Sequence, residues 1–144
     1  MLIGIPSLLG PDLLHALRAM GHGDEIALVD GNYPAAEHGR RVIRADGLDI
    51  AAVLTAILQL LPLEGAFRAA LNNDAAQSAP IHHRIDAIVQ ATTLGTPATP
   101  LAGEALYPRI RAAFAIVATS EPQPFANVIL RKGVILPSDQ PQGT

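Results

Sequence analysis

Between Pro11 and Asp30 the chain leaves little choice of architecture: a short helix, a glycine-rich break and an apolar strand follow one another directly. Pro11 lacks the N–H that a helix's first turn leaves unpaired, so it opens a helix well. Leu13, Leu14, Leu17 and Met20 then fall on one helical face, with His15 and Arg18 away from it. Gly21 is expected to end that helix in the left-handed backbone region, where a residue without Cβ sits cheaply. The run "EIALVD" follows, bounded by turn residues, and reads as a buried strand of a parallel or mixed sheet. So tight a link from helix to strand belongs to α/β architecture.

The rest of the chain extends this pattern. "RRVIRADG" reads as a second strand running into a turn, and Asp49 as the N-cap of a helix over 50–61 that Pro62 stops. That helix is apolar on nearly every face, with only Thr55 and Gln59 as a polar stripe. It therefore needs cover on more than one side, and a second subunit is the expected source of part of it. "AFRAALN" suggests a strand, "PIHHRIDAIVQATT" a helix, "LGTPATPLAG" a loop, "ALYPRIRAA" a short helix and "FAIVAT" a strand. "NVILRKGVIL" is a final strand or strand pair. No linker splits the chain, so residues 1–136 are read as one domain and 137–144 as a polar, frayed tail.

Composition narrows the function classes. At 144 residues with 49% hydrophobic and 16% charged residues the chain is globular and can bury a real core. Its net charge is −3, and every basic residue except Lys132 is arginine, with no basic block, so nucleic acid is not an expected partner. The chain has no cysteine, hence no thiol nucleophile and no cysteine metal site, which suits a reducing cytoplasm. The N-terminus lacks the basic region and cleavage pattern of a secretory signal. The longest apolar run, "IAAVLTAILQLLPL", is interrupted by Gln59 and Pro62 and is too short to span a bilayer, so a soluble protein is expected.

Few residues could carry chemistry. His22 lies between two glycines just before a strand; its imidazole suits proton transfer near neutrality, or it is simply a solvated turn residue. Asp30 ends the strand where open α/β sheets bind ligands, or it closes an Asx-turn. An extended strand carries these two apart by about 3.3 Å per residue, so a shared site needs further folding or a neighbouring subunit. "GHGDEI" precedes a strand and lacks a third glycine, which excludes a nucleotide-binding loop, and no G-x-S-x-G elbow is present. His82, His83 and Asp86 cluster, and His82 and Asp86, four apart, could share a helical face, but the set lacks the third ligand of a metal site; a solvated face is expected, and no metal. Arg44 and Asp46 are expected to pair or to cap a turn. Tyr107, Arg109 and Arg111 could meet a polyol, with a plain solvent-facing role fitting Arg111 better than Arg109.

In order and spacing, the segments "LLGPDLLHALRAMGHGDEIALVDGNYPA", "VIRADGLDI", "LYPRIRAAFAIVATSE" and "FANVILRKGV" resemble the sugar anomerase family of fucose mutarotases and ribose pyranases, nearer the fucose branch. The resemblance spans about Leu2 to Val134 and is weakest between Ala66 and Gly103. It implies a single three-layer α/β/α domain with a mixed sheet. It also implies a ring-like homo-oligomer, commonly a decamer of pentamers, with active sites at subunit interfaces. The implied reaction interconverts anomers or ring forms of a free monosaccharide, L-fucose or a related sugar, without metal or cofactor. His22 falls on the family's proton donor, and Asp30 on its substrate-binding aspartate. The family's Tyr-x-Asn triplet falls on Phe125, Ala126 and Asn127, so the phenol is missing, and Gly103 stands where the fucose branch carries arginine. Tyr33, where that branch usually has Phe, is expected to supply the missing hydroxyl. A non-catalytic sugar-binding or transport-accessory protein on the same fold is the alternative.

Overall fold

The computed structural model describes residues 1–141. Six strands form one sheet: β1 (Glu25–Val29), β2 (Val42–Ala45), β3 (Leu63–Ala69), β4 (Thr99–Leu101), β5 (Ala115–Thr119) and β6 (Val128–Lys132). Their spatial order is β2-β5-β1-β6-β3-β4. β2, β5 and β1 run parallel, β6 is antiparallel to both β1 and β3, and β4 is parallel to β3, so the sheet is mixed.

The three central strands are apolar on both faces, and that dictates three layers. Ile26 and Leu28 of β1, Ala115 and Val117 of β5, and Val128 and Leu130 of β6 face one side. There they meet α1 (Pro11–Ala19), α3 (Ile50–Leu58) and α4 (Pro80–Gln90). The alternate residues Ala27, Val29, Ile116, Ala118 and Ile129 face the other side, against α2 (Ala35–His38) and α5 (Gly103–Ala112). This is the period of two that a strand imposes, filled with apolar residues in both phases. The fold class expected from the sequence is the one found.

Several local readings need correction. The helix α1 stops at Ala19, not in a left-handed Gly21; the left-handed residue of the break is Gly23, at φ +86°. The helix end is closed instead by Lys132, whose Nζ donates to the carbonyls of Leu17 and Met20 at 2.7 Å each. Asp49 does cap α3, accepting the Ala52 N–H at 2.8 Å. That apolar helix, however, is covered within its own chain: Ile50, Val53, Leu54 and Ile57 are all fully buried. α3 therefore needs no second subunit to cover it. Exposed apolar surface lies elsewhere, at Met1, Leu2, Ile3, Val134, Ile135 and Leu136.

Part of the expected loop "LGTPATPLAG" is the edge strand β4, and α2 was not expected at all. "NVILRKGVIL" is a single strand that ends at Lys132. The tail begins with one short turn, Pro137–Asp139, and its residues 142–144 lie outside the described residues.

Candidate active site

Asp30 follows directly on β1, where the parallel strands β1 and β5 end, and is only 6% exposed. Its backbone N–H donates to Asn127 Oδ1 at 2.9 Å, which ties the end of β1 to the start of β6. Its carboxylate accepts the Asn32 N–H at 2.9 Å. Burial pushes the Asp30 pKa upward, and nearby Glu121 adds to this; backbone N–H groups of Asn32, Tyr33 and Phe125 oppose the rise without cancelling it. The Asx-turn expected of Asp30 is therefore present. One carboxylate oxygen shapes the turn while the residue still lines a cavity.

That cavity, of about 410 Å³, is lined by Asp30, Asn32, Tyr33, Pro34, His38, Tyr107, Arg111, Pro124, Phe125 and Asn127. Its size suits a small ligand, and its lining mixes hydrogen-bonding groups with ring faces. Tyr33 Oη lies 2.8 Å from His38 Nδ1, and His38 Nε2 lies 2.9 Å from Arg111 Nη2. Burial pushes the Tyr33 hydroxyl up to about 12. Of the expected triplet, Phe125 and Asn127 line the cavity, while Ala126 is fully buried in the core.

Phe125 is held in an unusual conformation, φ +60°, which side chains larger than hydrogen seldom adopt. Its carbonyl accepts a 2.7 Å hydrogen bond from His82 Nε2, while His82 Nδ1 accepts the Ala79 N–H. His82 is fully buried, which corrects the expectation of a solvated histidine face; burial lowers its pKa. Asp86, one turn on, bonds Arg68 at 2.8 and 3.1 Å. His82 and Asp86 therefore serve structural contacts, and among the described residues no cluster could hold a metal ion.

His22 is not in this cavity. It sits in the exposed break before β1, with Nε2 2.7 Å from Glu64 Oε2 on β3. The five residues of β1 span about 17 Å. His22 and Asp30 therefore occupy opposite ends of the strand, and one chain does not bring them together.

Of the two α5 arginines, Arg109 departs from its expected role, while Arg111 is solvent-exposed as expected and also borders the cavity. Arg109 is structural: it donates to Glu25 at 2.6 and 3.2 Å and lies over the Phe67 ring. Arg111 lines the cavity. Arg44 pairs with Asp46 at 2.7 Å on the surface. Gly103, at the start of α5, admits a side chain only if the neighbouring side chains shift. A Cβ there would stand 2.8 Å from the Tyr107 ring and 2.9 Å from Asn73 Oδ1.

Sequence reasoning missed His38, Glu121 and the role of His82. His38 sits on a four-residue helix without a recognisable motif, and Glu121 and His82 act through partners distant in the chain.

The family model that describes the RbsD / FucU transport protein family matches residues 3–135. The fucose mutarotase of Danio rerio is 39% identical over 150 residues, covering 97% of this chain and 98% of that protein. Among solved structures, the fucose mutarotase from Streptococcus pneumoniae in complex with L-fucose superposes with a TM-score of 0.83 at 39% identity, covering 94% of this chain and all of that one. Bacillus subtilis RbsD complexed with D-ribose shares the fold at TM-score 0.71 and 20% identity, covering 89% of this chain and 95% of that one.

Proposed function

The chain belongs to the RbsD / FucU transport protein family, and on that footing we propose that it is a mutarotase, interconverting the anomers of a free monosaccharide, L-fucose or a close relative. The observation that carries this reading is the buried Asp30, its backbone N–H held by Asn127, lining a cavity of monosaccharide size on a chain so similar to fucose mutarotases.

Anomer exchange opens and recloses the sugar ring. A proton leaves the anomeric hydroxyl, a proton reaches the ring oxygen, and the bond from C1 to the ring oxygen breaks to give the open-chain aldehyde. Rotation about C1–C2 and the reverse transfers then close the other anomer. Asp30 accepts hydrogen bonds from sugar hydroxyls, with Asn127 and Tyr33 beside it. The phenyl ring of Phe125 supplies an apolar wall, and Ala126 only sets the spacing between its neighbours.

His22 is the acid/base group of the reading. Glu64 accepts at Nε2, so a neutral imidazole carries its proton there and keeps Nδ1 for exchange. Because one chain separates His22 from Asp30, the reading requires a homo-oligomer in which His22 of one copy enters the cavity of another. The exposed Val134, Ile135 and Leu136 support this, since they follow β6 at the end of the sheet where His22 lies. A surface that places apolar residues in water is stabilised by docking against another. A cytoplasmic location completes the reading, supported by the absence of cysteine. Among the described residues no helix is long and apolar enough to cross a membrane.

Saturation-transfer NMR on fucose, ribose, galactose and related sugars tests the proposal. The protein should speed anomer exchange for at least one sugar, and His22→Ala should slow it about a hundredfold or more. Unchanged exchange in that variant would overturn the enzymatic role. The second reading, a non-catalytic sugar-binding protein, draws support from Gly103 and Phe125, which lack the cation and phenol of the fucose branch. It predicts sugar binding without faster exchange.

A further inference from the structure

Arginine can only donate hydrogen bonds. With Arg111 Nη2 2.9 Å from His38 Nε2, that ring nitrogen must be the acceptor. A neutral imidazole then carries its proton on Nδ1. Nδ1 lies 2.8 Å from Tyr33 Oη, so the imidazole donates and the phenol oxygen accepts. The proton of Tyr33 itself is thereby turned away from His38. Among the described residues the Tyr33 hydroxyl has no other hydrogen-bond partner, and the residue lines the cavity beside Asp30 and Asn127.

The ring that carries this hydroxyl is held firmly. Tyr33 packs edge-on against the imidazole of His38, with centroids 5.2 Å apart, and against Tyr107 at 6.3 Å. Its backbone N–H bonds the Asp30 carbonyl at 3.2 Å, so phenol and carboxylate are fixed in one turn.

We propose that Arg111, His38 and Tyr33 form a one-way hydrogen-bond chain that offers the Tyr33 hydroxyl proton to an oxygen of the sugar bound by Asp30. His38 and Arg111 are positioning residues: they set the direction of a proton without touching the reacting atoms. The inference rests on the sugar-site reading and adds two residues to it. Burial holds the phenol's pKa at about 12, so Tyr33 keeps its proton at neutral pH and serves as a fixed donor. A fixed donor contributes to binding of ground state and transition state alike, and its loss should appear in KM and not in kcat.

The test compares anomer-exchange kinetics of wild type, Tyr33→Phe, His38→Ala, Arg111→Met, Arg111→Lys and the double variant Tyr33→Phe/His38→Ala. Tyr33→Phe should raise KM about five- to tenfold, the size of one lost hydrogen bond, with kcat within about twofold. His38→Ala and Arg111→Met should each raise KM by a smaller factor. In the Tyr33→Phe background His38→Ala should add nothing, because there is no longer a proton to direct. Arg111→Lys keeps a donor and should stay near wild type. An equal rise on His38→Ala with or without the Tyr33 hydroxyl would overturn the chain, as would an unchanged KM in Tyr33→Phe. A wild-type protein that exchanges no anomers would overturn the mutarotase reading alone. Sugar dissociation constants from ligand-detected NMR would then decide the chain in the same variants. Binding of no sugar in the panel would overturn both.

Discussion

His82 Nε2 donates to the Phe125 carbonyl at 2.7 Å, and Phe125 is one of three described non-glycine residues with positive φ. A fully buried side chain on α4 thus holds the backbone of the loop that forms one wall of the cavity. A left-handed non-glycine residue persists only where its surroundings enforce it.

Removing this latch should therefore loosen site and fold together. His82→Ala leaves the Phe125 carbonyl and the Ala79 N–H without partners, at a cost of about 3 kcal/mol. Urea unfolding would show the loss, and KM for the sugar should rise. The pH dependence has a definite sign. The folded pKa of His82 lies below the ordinary 6.5, so the unfolded chain binds the proton more readily. This stabilisation is full above about pH 6.5 and falls as the solution is acidified. The difference in unfolding free energy between wild type and His82→Ala should shrink between pH 7.5 and 5.5.

Asp30 titrates in the opposite sense. Its folded pKa is raised above 3.8, so the folded form holds its proton more tightly, and the ionised carboxylate is a burden on stability at neutral pH. Asp30→Asn should melt no lower than wild type at pH 7, provided the amide oxygen keeps the Asn32 N–H. Calorimetry should show wild type gaining on the variant as pH falls through the carboxylate range. Sugar affinity should nevertheless drop about tenfold or more, since a charged acceptor is lost.

Glu64 should matter for rate more than for stability. It is partly exposed, and its pairing with His22 contributes little to the fold. Glu64→Gln keeps the size of the side chain but weakens its hold on the Nε2 proton. We expect kcat to fall about three- to tenfold with KM nearly unchanged, read by the same exchange NMR.

Arg68 and Asp86 form the ion pair most removed from water, with side chains 7% and 20% exposed. Asp86→Ala strands a buried guanidinium and should cost about 3–5 kcal/mol. Replacing both, Arg68→Met with Asp86→Leu, should cost far less. Equal losses in the two variants would show that the cost lies in packing and not in the orphaned charge.

The layered core was legible because its signals are local. The apolar runs of β1, β5 and β6 and the proline and aspartate at helix starts announce themselves within a few residues. The edge strand β4 did not, because three residues centred on Pro100 look like a loop and become a strand only by pairing with Phe67–Ala69. His82 was misread for a related reason. Helical spacing places it beside Asp86 but cannot reveal that the Phe125 carbonyl meets His82, or that Arg68 meets Asp86, from distant segments. Arg109 and Arg111 are two residues apart on one helix, and only Glu25, far away in sequence, decides which of them stays free for the cavity.

β1 acts as a ruler that, within each chain, keeps His22 and Asp30 at its opposite ends. Under the proposed arrangement activity belongs to a seam, so a protomer lends one half-site and borrows the other. Dilution should silence the protein before it unfolds. Two crippled populations, one carrying His22→Ala and the other Asp30→Asn, should regain part of their turnover when dissociated and reassembled together, because some of the new seams would join two intact halves.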